Sequence, residues 1–246
     1  SDEWVTADEL YACTTCSACV EQCPLFIDQM GKILEMRRFL TMEGKLTGTA
    51  VRTLQKLGSH GNPWGFEATD RAPWAKENEV PVLGNGAGDN AEDFDVIFWT
   101  GCFGAFDPRG QEVATTITDL MKEAGIKFAI MGPNETCSGD PARRLGEEAL
   151  FQELAMTNVE TMKGFNVKKV IANCPHCFNT LKNEYPDFGS DVEVVSHTEY
   201  LNSLIKEGKL NPTKNIDEEI TYHDPCYLGR HNKILDEPRE ILEAIP

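Results

Sequence analysis

Nine cysteines carry whatever chemistry this 246-residue chain performs. The first four fall in the run Cys13-Thr14-Thr15-Cys16-Ser17-Ala18-Cys19-Val20-Glu21-Gln22-Cys23-Pro24, which reads C-x2-C-x2-C-x3-C-P. That spacing holds a [4Fe–4S] cluster: three regularly spaced thiolates on a tightly curled loop reach three irons of one cube, and the cysteine before proline turns away to ligate a second cluster. Cys13, Cys16 and Cys19 therefore form a triad, and Cys23 points elsewhere. A zinc knuckle is the competing reading, but zinc sites normally come as separated C-x2-C pairs.

The remaining five, Cys102, Cys137, Cys174, Cys177 and Cys226, are scattered in sequence and must be gathered by the fold. Val96-Ile97-Phe98-Trp99 reads as a buried strand, with Gly101-Cys102 after it and a helix through Val113, Ile117, Leu120 and Met121. Lys127 to Met131 is a second strand, followed by a loop with Cys137 and a long helix over about 141–163. Val167 to Ala172 is a third, before Cys174-Pro175-His176-Cys177 opens a helix toward Tyr185. Val192 to Val195 is a fourth, with a helix over Thr198 to Lys206. Ile220-Thr221-Tyr222 is a fifth, leading to Asp224-Pro225-Cys226 and a helix near Pro238–Ala244. Strands alternating with helices mean βαβ units and a mostly parallel sheet. Each cysteine after position 100 then falls just past the carboxyl end of a strand, the edge where open α/β sheets place ligands. Five cysteines on one rim read as a metal-cluster domain.

The N-terminal stretch has a different character. Thr6-Ala7-Asp8-Glu9-Leu10 caps and begins a short helix. Ile27, Met30, Ile33, Leu34, Met36 and Arg37-Arg38-Phe39-Leu40 have helical apolar spacing, with Met30, Met36 and Phe39 expected in the core. Residues 1–42 are thus a small helical module. Residues 43–92 form a connector rich in glycine, proline and tryptophan, including the tract Gly84–Gly88, and Trp64 and Trp74 imply that it docks. Residues 93–246 make the α/β cysteine-rich domain. The Trp99-Thr100-Gly101-Cys102-Phe103 layout recurs faintly at Tyr222–Tyr227, 124 residues on from Cys102 to Cys226, as two copies of one unit would require. The second copy only begins before Pro246.

Composition narrows the partners. A net charge of −17 opposes nucleic-acid phosphates and favours a partner with a basic docking face. Apolar content of 41% and charged content of 26% are those of a globular protein. No apolar run approaches a membrane span, and no secretory leader opens the chain, so a cytoplasmic location is expected. Nine cysteines, an odd number, then read as ligands or redox thiols rather than a disulfide framework. No Walker loop, G-x-G-x-x-G or H-E-x-x-H competes.

Cys102, then Cys137-Ser138-Gly139-Asp140-Pro141-Ala142-Arg143-Arg144, Cys174-Pro175-His176-Cys177 and His223-Asp224-Pro225-Cys226 resemble the cysteine-rich "CCG" domain family. The D and B components of heterodisulfide reductase, the glycolate oxidase iron–sulfur protein and the C component of anaerobic glycerol-3-phosphate dehydrogenase are its members. The order of a ferredoxin-like module, connector and cysteine-rich domain, with Asn62-Pro63-Trp64-Gly65 and Glu135-Thr136-Cys137-Ser138-Gly139-Asp140, resembles one branch in particular. It comprises membrane-bound iron–sulfur oxidoreductases that pass electrons from electron-transfer flavoprotein to a quinone. The resemblance covers almost the whole chain. It implies electron transfer through [4Fe–4S] clusters, with a flavoprotein partner, a membrane quinone-reactive domain or other subunits, and membrane association through segments outside this chain.

Three departures qualify it. The family's paired cysteines are Cys137-Ser138 here, so one of five thiolates is missing; four (Cys102, Cys137, Cys174, Cys177) suit an ordinary electron-carrying cube rather than the noncubane clusters of a disulfide reductase. One ferredoxin motif and a fraction of a second CCG repeat stand where two of each are usual. The branch's membrane helices are absent. Cys23, Cys226 and the triad's missing ligand are accordingly expected to reach outside these residues, the triad belonging to half of a two-cluster module.

Alternatives remain open at this level. Cys174-Pro175-His176-Cys177 opening a helix also reads as a thioredoxin-like pair with a depressed thiol pKa, although such a fold leaves Cys102, Cys137 and Cys226 unexplained. Four cysteines are also a legitimate zinc set, which would make the chain a scaffold. His176 and His223 sit beside cysteines, placed either to bond a sulfur or to satisfy backbone. Arg143-Arg144 either offsets cluster charge or forms a solvated helical turn.

Overall fold

The computed structural model describes residues 4–84 and 90–246, so the expected glycine tract lies, beyond Gly84, outside the described residues. Thr6 caps α1 (Ala7–Ala12) in a reciprocal box: its hydroxyl accepts the Glu9 N–H at 3.3 Å, and the Glu9 carboxylate accepts the Thr6 N–H at 2.8 Å. After the cysteine loop come α2 (Ala18–Glu21) and α3 (Gln29–Met42). The inward stripe of α3 is Leu34, Arg37 and Leu40, while Met36 and Phe39, expected in the core, are exposed and Met30 is half-buried. The stripe is set by Arg37. Its Nε and Nη2 donate to the Leu10 carbonyl at 3.0 and 2.6 Å, Nη2 also to Cys13, and Nη1 to Arg144 at 2.8 Å.

Residues 43–92 read as a connector, yet they hold real structure. α4 (Thr49–His60) ends on Gly61 at φ 65°, and α5 (Pro73–Glu77) buries Trp74. Buried Asn62 ties the turn between them: it donates to the carbonyls of His60 and Phe66 (2.9 and 2.7 Å) and accepts the N–H groups of Gly65 and Phe66 (2.8 and 3.1 Å). Pro81 and Leu83 then exchange backbone hydrogen bonds with Ile130, both 2.9 Å, closing one sheet edge.

The sheet comprises β1 (Val96–Trp99), β2 (Phe128–Ile130), β3 (Lys169–Ala172) and β4 (Glu193–Ser196), all parallel, in the order β2-β1-β3-β4. Between and after the strands run α6 (Gly101–Phe106), α7 (Pro108–Glu123), α8 (Asp140–Leu145), α9 (Glu148–Gly164), α10 (Pro175–Asn179), α11 (His197–Lys206), α12 (Cys226–Asn232) and α13 (Asp236–Glu243). Alternation along the strands divides the core. Val96, Phe98, Phe128, Ile130 and Ile171 pack with Ile117 and Met121 of α7 and with Trp74; Ile97, Trp99, Ala129 and Val170 pack with Phe151, Ala155 and Val159 of α9. The α/β class expected from sequence is the class observed.

Two elements differ from expectation. The long helix over 141–163 breaks at Gly146, which lies at φ 92°. The backbone of α3 passes there, and a Cβ on Gly146 would fall 2.5 Å from the Arg37 carbonyl carbon. The carbonyls freed at the end of α8 are taken up by N-terminal side chains, Leu145 by the Thr41 hydroxyl at 3.0 Å and Arg144 by Arg37. The fifth strand is absent: Ile220-Thr221-Tyr222 is irregular and pairs with no strand, and Ile220 is 59% exposed behind three consecutive carboxylates, so no apolar face holds it to the sheet.

Candidate metal centre

β1 and β3 are neighbours whose onward connections leave in opposite directions, to β2 and to β4. Their carboxyl ends flank the switch-point crevice where α/β sheets bind ligands. Cys102 follows β1, Cys174 and Cys177 follow β3, and Cys137 enters from the loop after β2. Gly101 brings the first turn in at φ 66°; a Cβ there would sit 3.3 Å from Cys177 Sγ and 3.9 Å from Trp99 Nε1. Ser138, where the family motif has its second cysteine, donates its hydroxyl to Cys177 Sγ at 3.5 Å. Cys102, Cys137 and Cys177 are buried and Cys174 half-buried.

The sulfurs perturb one another in pairs. Cys174 is pulled down to about 6, first by the Cys177 thiol and then by that residue's N–H, and Cys177 is pushed well up by Cys174 and by burial. Cys102 is pulled down by the Cys137 thiol with help from Arg71, while Cys137 is pushed well up by Cys102 and by burial. With protons alone, the four neighbouring sulfurs cannot all ionise; a bound cation would let them do so.

A guanidinium from the connector reaches into this site. Arg71 Nη2 donates to Cys102 Sγ at 3.1 Å, and Nη1 to Glu135 Oε1 at 2.9 Å, with both side chains almost wholly buried. Burial works against the charge on Arg71, but Cys102 and Glu135 outweigh it and hold the group protonated. Burial pushes Glu135 toward its neutral form, opposed by Arg71 and by the Thr100 N–H and hydroxyl at 3.2 and 3.3 Å. The Cys137 loop is pinned from three sides. Its N–H donates to the Gly61 carbonyl at 2.7 Å, its carbonyl accepts Asn158 Nδ2 at 3.0 Å, and the Tyr185 hydroxyl donates to the Ser138 carbonyl at 3.1 Å.

The N-terminal cysteines lie on a separate loop, curled by Thr15 and Ser17 at φ 55° and 61°, the left-handed region that non-glycine residues seldom occupy. The Thr15 N–H donates to Cys13 Sγ and the Ile27 N–H to Cys23 Sγ, each at 3.4 Å. Backbone N–H groups pull two of these thiols down, that of Ala18 for Cys16 and that of Ile27 for Cys23. Cys19 is exposed. This loop rests on α12: His231 Nε2 donates to the Thr15 carbonyl at 3.0 Å, and Arg230 Nη1 lies 3.5 Å from that of Cys16.

The structure therefore brings Cys102, Cys137, Cys174 and Cys177 together, keeps Cys13, Cys16, Cys19 and Cys23 on the N-terminal loop, and sets Cys226 at the first turn of α12, without the strand expected before it. His176 bonds no sulfur; its Nδ1 donates to Asp140 Oδ2 at 2.9 Å. His223 is exposed. Arg143 and Arg144 are neither solvated nor against sulfur, because Glu184 pairs with both and Asp140 lies 3.1 Å from Arg144 Nε. Sequence reasoning missed Arg71 and Trp99.

The residues fit an iron–sulfur cluster on three observations. The donors are thiols whose charges need a cation. The Gly101 turn leaves open the space that a side chain would fill beside Cys177. Trp99 Nε1 in that same space is buried with no hydrogen-bond partner among the described residues, a donor facing the region a cluster's sulfides would occupy.

Residues 96–182 and 220–246 match the CCG cysteine-rich domain family. Along 98% of its length the chain is 45% identical to a probable iron-sulfur-binding oxidoreductase, FadF, of Bacillus subtilis and 42% identical to an EtfAB:quinone oxidoreductase of Syntrophomonas wolfei. Over 97% of its length it is 32% identical to the D component of the dihydromethanophenazine:CoB–CoM heterodisulfide reductase of Methanosarcina mazei. It spans about a third of the two bacterial relatives (35% and 34%) and 58% of the archaeal one. No solved structure matches it. The chain therefore belongs to the CCG cysteine-rich domain family.

Proposed function

We propose that this chain is the electron-carrying part of an iron–sulfur oxidoreductase, in which a ferredoxin-like segment (1–42) and a cysteine-rich domain (93–246), joined by the connector, each hold a [4Fe–4S] cluster. Cys102, Cys137, Cys174 and Cys177 are the ligands of one; Cys13, Cys16 and Cys19 serve the other, with its fourth ligand, and the partners of Cys23 and Cys226, supplied from outside these residues. When bound, such a cluster takes up and releases single electrons. The protein's own residues hold the sulfurs, and Arg71 brings a positive charge and Ser138 and Trp99 neutral hydrogen-bond donors to the site.

The observation that carries this reading is the four-sulfur set at the switch point with a hydroxyl, Ser138, in the fifth place. Four thiolates match a cube. The surrounding sulfurs also disfavour an isolated thioredoxin-like pair. The heterodisulfide reductase relative keeps a second reading in view, catalytic disulfide reduction, and Ser138 speaks against it.

The donor we propose is electron-transfer flavoprotein and the acceptor a quinone, by similarity to the EtfAB:quinone oxidoreductase of Syntrophomonas wolfei. Among the described residues no helix is long and apolar enough to cross a membrane, so attachment would come through other segments or subunits. Anaerobic iron and sulfide analysis with low-temperature EPR tests the assignment. Two cubes give about eight irons per chain, and Cys137→Ala removes one reduced-cluster signal while sparing the other. Survival of both signals would refute the ligand set; zinc without sulfide would refute the redox function.

A further inference from the structure

One side chain joins the N-terminal cysteine loop to the Cys174–Cys177 turn. Tyr227 follows Cys226 at the start of α12 and is 1% exposed. Its ring packs on His176, which lies between Cys174 and Cys177, at 3.8 Å between centroids and 31° between planes. On another side it packs on His231 at 4.0 Å and 6°. Its hydroxyl is 2.7 Å from Thr15 Oγ1, between Cys13 and Cys16 in the N-terminal loop. The Thr15 hydroxyl donates its own proton to the Thr14 carbonyl at 2.7 Å, so Tyr227 is the donor in that pair.

We propose that Tyr227 is a positioning residue that locks the Cys13–Cys19 loop against the Cys174–Cys177 turn, and that the His176–Tyr227 contact continued through Thr15 couples the two iron–sulfur groups electronically. The inference rests on the proposal that both groups bind clusters. The step it serves is simple: one electron leaves a reduced cluster at one cysteine set and reduces an oxidised cluster at the other, with no proton moved and no bond made or broken. Tunnelling weakens steeply across gaps and less steeply through bonds and hydrogen bonds. From His176 to Thr15 this route has one ring-to-ring gap and one short hydrogen bond. Another link passes through Arg37, which donates to the carbonyls of Cys13 and Arg144, and then through Arg144, Asp140 and His176; it requires several more contacts in series. Burial pushes the Tyr227 phenol up to about 12, so it keeps the proton that the Thr15 contact uses.

The test uses the anaerobically purified full-length holoprotein, which supplies the triad's fourth ligand, with iron and sulfide counted first. Inter-cluster transfer after partial reduction is followed by freeze-quench EPR, and the magnetic interaction between the two reduced clusters is recorded. Tyr227→Leu should slow transfer by about tenfold or more, the scale on which small misplacements act, and weaken that interaction at unchanged iron content. Tyr227→Phe, which keeps the ring, should restore most of the rate. In metal-free protein, amides of residues 14–17 should exchange hydrogen faster in Tyr227→Leu than in wild type. Wild-type transfer in a fully loaded Tyr227→Leu protein, or unchanged exchange in its loop, overturns the proposal. Should that variant fail to fold, His176→Leu, which removes a ring whose side chain is 43% exposed, replaces it; slowing supports the coupling and a wild-type rate overturns it. Wild-type protein with iron for one cluster only would instead refute the two-cluster reading beneath it.

Discussion

Arg71 Nη2 lies 3.1 Å from the Sγ of Cys102, and the same guanidinium closes a buried ion pair with Glu135. The positive charge stands where an added electron would make the sulfur ligands more negative, so it favours the reduced state. Arg71→Met should lower the midpoint potential of the cysteine-rich cluster in an EPR-monitored titration. It should also cost about 3–5 kcal/mol of stability, because buried Glu135 loses its partner and must either stay charged without one or take up a proton. Adding Glu135→Gln should recover most of that loss in denaturant unfolding without restoring the potential.

Ser138 offers a narrower perturbation. Its hydroxyl donates to Cys177 Sγ, and hydrogen bonds to ligand sulfur raise a cluster's potential. Ser138→Ala should lower the midpoint potential with iron content unchanged. An unchanged potential would mean that the hydroxyl does not bear on the cluster.

Gly101 and Gly125 have nearly the same φ, 66° and 69°, but different surroundings. Alanine at either should cost about 1–2 kcal/mol of backbone strain. Only at Gly101 does the added methyl meet the site, 3.3 Å from Cys177 Sγ, whereas nothing lies within 4 Å of it at Gly125. Gly101→Ala should therefore lose the cysteine-rich cluster while Gly125→Ala keeps it, as iron analysis will show.

His197, at the start of α11, has its pKa pushed down to about 4, chiefly by burial. The unfolded chain then binds a proton that the folded chain does not between about pH 6.5 and 4. Stability should be full above that window and fall as pH drops through it. The loss should be about 1–2 kcal/mol, since water still partly reaches the ring. His197→Gln should flatten this part of the pH–stability curve, measured by urea unfolding.

Much of this was legible because it depends on near neighbours. The Thr6 cap and the apolar strand Val96–Trp99 are each complete within a dozen residues, and each appears as read. What failed depends on distant residues. Gly146 breaks a helix because α3, over a hundred positions earlier, passes against it. Ile220-Thr221-Tyr222 has strand-forming residues but no strand beside it. Arg71 lies in a stretch with no periodicity, 31 positions from the sulfur it bonds. Arg37 takes an inward position that apolar counting assigns to Met36 or Phe39, because the carbonyls it serves belong to three other segments.

The seat of the N-terminal loop has a consequence for the order in which the protein is made. Thr15 is held by Tyr227 and His231, 212 and 216 positions later. Synthesis runs from the N-terminus, so the ribosome completes the first cysteine motif long before its support exists. Until α12 is made those four thiols lack this support, and the loop reaches its final setting only when α12 emerges.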